Sequence, residues 1–438
     1  MYEKNYLRRK HHLERWFSPA RFGLFFHWGL FTGGGNTHRE ADQEHPLSYS
    51  TPEALEAAAP DPDAVAENMV RMAQSCGARY ITLTLLHTNE ACCVLYPTGI
   101  KAYRYHTTLD YAGAFLKACG KAGIRALFYM PASADHWESV SMGPTVSEEA
   151  RTHAGYRSVA ESLIRELAER YGNAISGFWI DGMNPEMKSF PAYIRRWFPD
   201  AVIINNNNTS LDIEEVDCGT TEFLSGNPEP SYCRPSALRT SGLPFHISIP
   251  GHDFNEDIPT CCGWWYHGPE KSGTDAAPYL ADRRFLLRQM ISSLGQHGQW
   301  NFAFGIGPMI DGNPPPEFVP SLETVRDFLS WGGEAIYETT GGGRSLIFPG
   351  YFTAPWSPPG FCSVTQSLKD PRIHYILITE APPVPDAMFR TTGELPTSIT
   401  DLRTGQKIPF RMLGGILLEQ QDWSDVDQYG AKVLKVIF

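Results

Sequence analysis

The fold class this sequence predicts is a parallel (β/α)₈ barrel followed by a small C-terminal antiparallel β-sandwich, and three observations predict it. Up to about residue 335, short apolar runs alternate with longer runs of helical periodicity. That is the pattern of parallel strands joined by crossover helices. Eight strand-like runs fit into this stretch, a size that suits a barrel with long loops. Beyond it, helical periodicity stops, and β-branched and aromatic runs follow, separated by Pro and Gly. The expected domains are therefore residues 1–338 for the barrel and 339–438 for the sandwich.

The strand-like runs are 22–26, 80–86, 124–130, 175–180 and 202–205, with weaker ones at 220–224, 244–249 and 302–305. Helical runs lie between several of them. In 62–76, Val65, Met69, Met72, Ala73 and Cys76 recur at helical spacing, with Asp61 as N-cap and Pro62 in the first turn. The run 148–171 sets Val159, Leu163 and Leu167 on one face, and 279–297 has a wide apolar face. The run 317–331 carries Leu322, Val325, Phe328 and Leu329. In the tail, 374–378, 408–412 and 432–437 read as strands, and Gly341, Gly342 and Gly343 as a hinge or turn.

Composition narrows the function classes. With 42 % apolar and 20 % charged residues, the chain is an ordinary globular protein. A net charge of −12 argues against a nucleic-acid binder, which needs a basic stripe. No run of 18 uncharged apolar residues offers a membrane span. The first residues, MYEKNYLRRKHHLERWF, are charged where a signal peptide has its apolar core. The nine cysteines include no C-x-x-C spacing, which argues against zinc and for free thiols in a reducing compartment. A cytoplasmic location is the expectation. Homo-oligomer formation is left open.

Functional residues of such barrels collect where strands end. Here the strand ends carry His27 and Trp28, then His87, then Asp135, His136 and Trp137, then Asp181 and Gly182. The fifth ends in Asn205 to Asn208, the sixth has Glu222, and the eighth carries Asn301. Asp181 directly follows the apolar run ISGFWI. A carboxylate there serves either chemistry at the barrel mouth or the N-cap of the next helix. Aromatic and imidazole side chains crowd the same ends: His27, Trp28, His87, His136, Trp137, Trp179, Trp264, Trp265 and His267. A sugar offers apolar ring faces edged with hydroxyls, which aromatic platforms and neutral His, Asn and Asp side chains match.

These segments resemble the family 29 glycoside hydrolases, the α-L-fucosidases. ARFGLFFHWGLFT (20–32) resembles the family's first strand, YITLTLLH (80–87) its second, and FWIDG (178–182) its nucleophile segment. GIGPMIDGNPPPEFVPSLETVRDFLSWGGEAIYET (305–339) resembles its eighth-unit signature. The resemblance implies a retaining double displacement on an oligosaccharide or glycoconjugate, with Asp181 as nucleophile. It implies His27 and His87 as sugar-hydroxyl ligands and no metal or organic cofactor. One subfamily carries its acid/base in a TPE-like segment, which GTTEF would match through Glu222, 41 residues after Asp181. Glu256 and Glu270 are rivals. Trp28, Thr88, Trp179, Trp264 and Trp265 complete the expected sugar-binding set.

The chain departs from the family pattern at Thr88 and Asn89, where a His and an Asp are usual, and at Gly305, where an Asn is usual. Fucose, or a related α-L-sugar such as α-L-galactose, is the expected substrate. A degenerate barrel that binds glycans without turnover is one alternative. A metal hydrolase built on His87, Glu90 and Cys92 is another, although that spacing is no recognised ligand set.

Overall fold

The computed structural model describes residues 12–32, 51–87, 93–132, 147, 153–181, 187–205, 215–219, 254–256, 283–295, 301–343, 345–346, 350–352, 360–382 and 384–438. The barrel strands are β1 Phe22–Phe26, β2 Tyr80–Thr84, β3 Arg125–Pro131, β4 Gly177–Asp181, β5 Val202–Asn205, β6 Cys218–Gly219, β7 Phe254–Glu256 and β8 Phe302–Ile306. They form one sheet in the order β6-β5-β4-β3-β2-β1-β8-β7, and every pairing is parallel. This is the cyclic order of a (β/α)₈ barrel.

Helices α1 Pro52–Ala58, α2 Pro62–Cys76, α3 Tyr111–Ala122, α4 His153–Tyr171, α5 Phe190–Trp197, α6 Phe285–Leu294 and α7 Val319–Gly332 provide the outer layer. Helix α2 matches its expected span at both ends because both are chemically marked. Asp61 Oδ1 accepts from Ala64 N at 3.1 Å, and Gly77 ends the helix at φ 83°. The sixth strand lies at 218–219, ahead of the expected 220–224 run. The seventh is Phe254–Glu256, beyond the 244–249 run. Both of those runs lie outside the described residues.

Alternation along the strands sorts the side chains into two layers. Phe25, Tyr80, Leu127, Tyr129, Trp179, Val202, Ile204 and Ala303 pack together inside the barrel. Phe22, Leu24, Phe26, Ile81, Leu83, Phe128, Phe178 and Phe304 face the helices. Gly23 makes room inside: a Cβ there would lie 2.5 Å from the Tyr80 ring. The N-terminal helical segment Leu13–Phe17 packs on the same inner cluster, with Phe17 against Tyr80 at 5.3 Å. Asn301 Nδ2 donates to Phe17 O at 2.6 Å, tying that segment to the start of β8.

The remaining strands are β9 Thr339–Gly341, β10 Gly350–Phe352, β11 Gly360–Ser367, β12 Ile373–Ile378, β13 Ala387–Phe389, β14 Ser398–Asp401, β15 Arg411–Met412, β16 Ile416–Leu418 and β17 Lys432–Ile437. They form antiparallel sheets of six strands (β10-β11-β12-β17-β14, with β9 on β11) and three strands (β13-β16-β15). Val364, Ile376, Leu434 and Val436 of the larger sheet share a core with Phe389, Ile416 and Leu418 of the smaller one. Tyr375, Leu377 and Val433 join the barrel's outer cluster instead. The larger sheet is thus covered on both faces. Gly341 ends β9, and Gly342, at φ 74°, donates its N–H to Val364 O at 2.7 Å, so the glycine run starts in the β9 ladder and bends out of it.

Glu166 on α4 anchors the loop between β2 and α3. It accepts from Tyr96 Oη at 2.9 Å, Thr98 Oγ1 at 2.5 Å and Gly99 N at 2.8 Å. Burial raises its proton affinity, but the hydrogen bonds from Gly99, Thr98 and Tyr96, with Arg170 nearby, outweigh that and hold the carboxyl below its usual range. A folded-state value below the unfolded one adds stability above the unfolded value, near pH 4.3, and this is lost as pH falls through the folded one. Glu166→Gln should therefore lower the melting temperature by a few degrees at pH 7. The gap to wild type should close as pH falls below about 4. Thermal melts from pH 7 to pH 3 check this, and a gap that stays constant contradicts it.

Candidate active site at the barrel mouth

The carboxyl ends of β1 to β4 bring together four of the side chains expected from sequence. Asp181 is the last residue of β4, in register with Pro131 of β3. Ala132 N donates to Asp181 O at 2.6 Å, so the pairing continues one residue past the strand. The side chain is half-buried and follows Gly177 and Trp179 on the inner face. Its Oδ2 accepts from the Tyr129 hydroxyl at 2.7 Å, a charge-assisted bond that fixes the plane of the carboxylate.

Around this pair stands a continuous group of rings. The His87 imidazole stacks on Tyr129 with centroids 5.1 Å apart and planes 12° apart. Trp179 approaches Tyr129 to 5.3 Å, and His27 lies 5.6 Å from His87. Phe25 fills the space beneath, 4.8 Å from His27 and 5.2 Å from Trp179. His27, His87, Tyr129 and Trp179 are all buried. The Trp179 indole N–H is buried without a hydrogen-bond partner among the described residues. Such a donor costs about 1–3 kcal/mol unless an oxygen meets it.

Trp28 is not part of this wall. Consecutive strand residues point to opposite faces, so with His27 turned inward Trp28 must turn outward. Its ring is 1 % exposed within the strand–helix layer, 4.9 Å from Tyr111, and its Nε1 donates to Ile310 O at 3.2 Å. Thr84 Oγ1 accepts from Trp28 N and donates to Trp28 O, both at 3.2 Å, which locks the exit from β1. Gly29 then turns the chain at φ 149°.

In the sequence Tyr129 lies inside the apolar run ALFYM and carries no functional mark of its own. The signal that finds it is register: Tyr129 pairs with Trp179, on the inner face two residues below Asp181. Thr88, Glu222, Trp264, Trp265 and the rival Glu270 lie outside the described residues, as do Glu90 and Cys92. Glu256 ends β7, in register with Phe304. Among the described residues, no group of three or more His, Cys, Asp or Glu side chains can hold a metal ion. Among them too, no helix is long and apolar enough to cross a membrane. The assembled groups amount to one oriented carboxylate beside a cluster of buried aromatic and imidazole side chains at the strand ends.

The sequence profile of the α-L-fucosidase family matches residues 1–334. No curated protein sequence matches the chain at a significant level. Several solved structures share its fold. α-L-Fucosidase isoenzyme 1 from Paenibacillus thiaminolyticus superposes with a TM-score of 0.69 at 17 % identity, covering 98 % of this chain and 99 % of that one. The Thermotoga maritima α-fucosidase in complex with a mechanism-based inhibitor gives 0.69 at 18 % identity, covering 98 % of each chain. A trapped covalent intermediate of a Bacteroides thetaiotaomicron α-L-fucosidase with 2-fluoro-fucosyl fluoride gives 0.66 at 16 % identity, covering 98 % and 95 %.

The placement of Trp28 makes it a core residue. Trp28→Ala should cost about 3–5 kcal/mol of stability, as large aromatic truncations in a core do. Denaturant unfolding reads this directly, and a loss under about 1 kcal/mol, the scale of an ordinary surface change, contradicts the placement.

Proposed function

The chain belongs to the α-L-fucosidase family of glycoside hydrolases, and from that premise we propose that it is a retaining, exo-acting hydrolase with Asp181 as nucleophile and Glu222 as acid/base. The observation that carries this reading is the oriented carboxylate: Asp181 at the end of β4, held through Oδ2 by Tyr129. A half-buried carboxylate in a ring of aromatic and imidazole groups suits attack on the anomeric carbon of a sugar. The covalent intermediate trapped on the Bacteroides relative supports the same two-step chemistry.

In the first step, one Asp181 oxygen bonds to the anomeric carbon while the glycosidic C–O bond breaks. The acid/base protonates the departing oxygen. In the second, the same group, now a carboxylate, takes a proton from water. That water attacks the anomeric carbon and frees Asp181. The two carboxyl groups of such enzymes stand about 5–5.5 Å apart. His27, His87 and Trp179 offer imidazole nitrogens and an indole N–H to the sugar's oxygens, and Thr88, Trp264 and Trp265 complete the subsite in this reading. Terminal α-L-fucosyl residues are the first substrate class. α-L-Galactosyl residues are the second, because Thr88, Asn89 and Gly305 depart from the family pattern. The same departures favour, as a second reading, a barrel that binds glycans without turnover. A cytoplasmic location belongs to the proposal and is supported by the free, buried thiols of Cys76, Cys119 and Cys362.

Asp181→Asn should lower kcat on an aryl α-L-fucoside by at least about 10³-fold while leaving the fold intact, because no other group makes the covalent bond. Full activity in that variant contradicts the mechanism. A wild-type protein that binds fucosides yet cleaves no α-L-glycoside favours the second reading. For the acid/base, Glu222→Ala should slow alkyl fucosides far more than activated aryl fucosides. Added azide should then restore turnover as a glycosyl azide, since azide needs no base to attack. The same rescue in Glu256→Ala or Glu270→Ala, and not in Glu222→Ala, would reassign the role.

A further inference from the structure

Tyr129 stands between two flat side chains contributed by the neighbouring strands. His87, three residues past the end of β2, stacks on it at 5.1 Å and 12°. Trp179 of β4 approaches at 5.3 Å and 31°. The phenol ring is 2 % exposed and His87 is 5 % exposed, so solvent does not set the orientation of either. The single polar atom of Tyr129 reaches Asp181 Oδ2 at 2.7 Å.

We infer that His87 is a positioning residue for the reaction at Asp181, acting through Tyr129, in addition to facing the sugar. The inference rests on reading Asp181 as the nucleophile. A phenol hydroxyl moves with its ring, and two torsions place that ring. A face-to-face stack limits both. Fixing the hydroxyl fixes Oδ2, and with it the plane in which the carboxylate meets the anomeric carbon. A displacement well under 1 Å at a reacting atom is enough to cost rate. A residue that only binds a sugar hydroxyl has no need of a near-parallel stack on the partner of the nucleophile. His27, which lies 58° from the plane of His87 and 48° from that of Tyr129, makes no such stack.

The two roles separate in a double-mutant cycle on the full chain, using His87→Ala, Tyr129→Phe, the double variant and His87→Phe, with an aryl α-L-fucoside as substrate. His87→Ala should lower kcat about tenfold, equivalent to about 1.4 kcal/mol. In the Tyr129→Phe background, where the hydroxyl is gone, the same change should lower kcat less than about twofold, because neighbours that act through one another are not additive. His87→Phe keeps a flat ring against Tyr129 and should retain several-fold more kcat than His87→Ala, whatever either change does to KM. His87→Asn replaces His87→Ala in the cycle if the alanine variant does not fold. Additive effects on kcat, or a His87→Ala effect confined to KM, would overturn the inference alone. A wild-type protein with no turnover on fucosides or α-L-galactosides would overturn the functional reading and this inference with it.

Discussion

In a ring of eight parallel strands, each residue faces either the barrel axis or the helices, and the next residue faces the other way. The rest of the structure depends on that constraint. It sends Phe25 and His27 inward and Phe26 and Trp28 outward, so HWG supplies one group to the mouth and one to the core. It aligns Tyr129, Trp179 and Ile204 on the inner wall through the pairings β3·β4 and β4·β5. It leaves Asp181 where the strand stops and the wall ends. Glycine answers the same constraint wherever the inner wall is overfull, as at Gly23 beneath the Tyr80 ring and at Gly177, where a Cβ would lie 2.6 Å from Val202 O.

The C-terminal sheets are fixed to this barrel by packing and by a few polar links. Glu334, just past α7, accepts from Tyr375 Oη at 2.6 Å and pairs with Lys435 at 2.5 Å. Burial of Glu334 opposes its charge, but Lys435 and Tyr375 hold the carboxyl below its ordinary range. Within the sheets, buried Lys432 sits 2.9 Å from Asp401 and 3.3 Å from Asp425, and Arg403 reaches Asp425 at 2.8 Å. Paired in this way, a buried ammonium keeps its charge satisfied.

Much of this was legible in the sequence wherever chemistry marks a boundary. The span of α2 follows from Asp61, Pro62 and Gly77, and β1 and β5 follow from apolar runs with clear ends. The second run reads through residue 86, yet the strand stops at Thr84, because Leu85 and Leu86 stay buried past the strand end and prolong the apolar run. The outward placement of Trp28 is not legible in the sequence, because a cluster of aromatics carries no face until the strand is registered against its neighbours. Tyr129 is hidden for the converse reason: in ALFYM it reads as one more core residue, and only pairing with β4 sets its hydroxyl beside a carboxylate. For the sixth and seventh strands the described segments are Cys218–Gly219 and Phe254–Glu256, and the expected runs beside them lie outside the described residues.

The account turns on Asp181 forming a covalent bond to the sugar. The most direct measurement is to incubate the protein with a slow 2-fluoro-α-L-fucosyl donor, digest it, and map the adduct by mass spectrometry. The account predicts a single fluorofucosyl ester on Asp181, on a peptide that Asp181→Asn leaves unlabelled. A label on any other residue would contradict it.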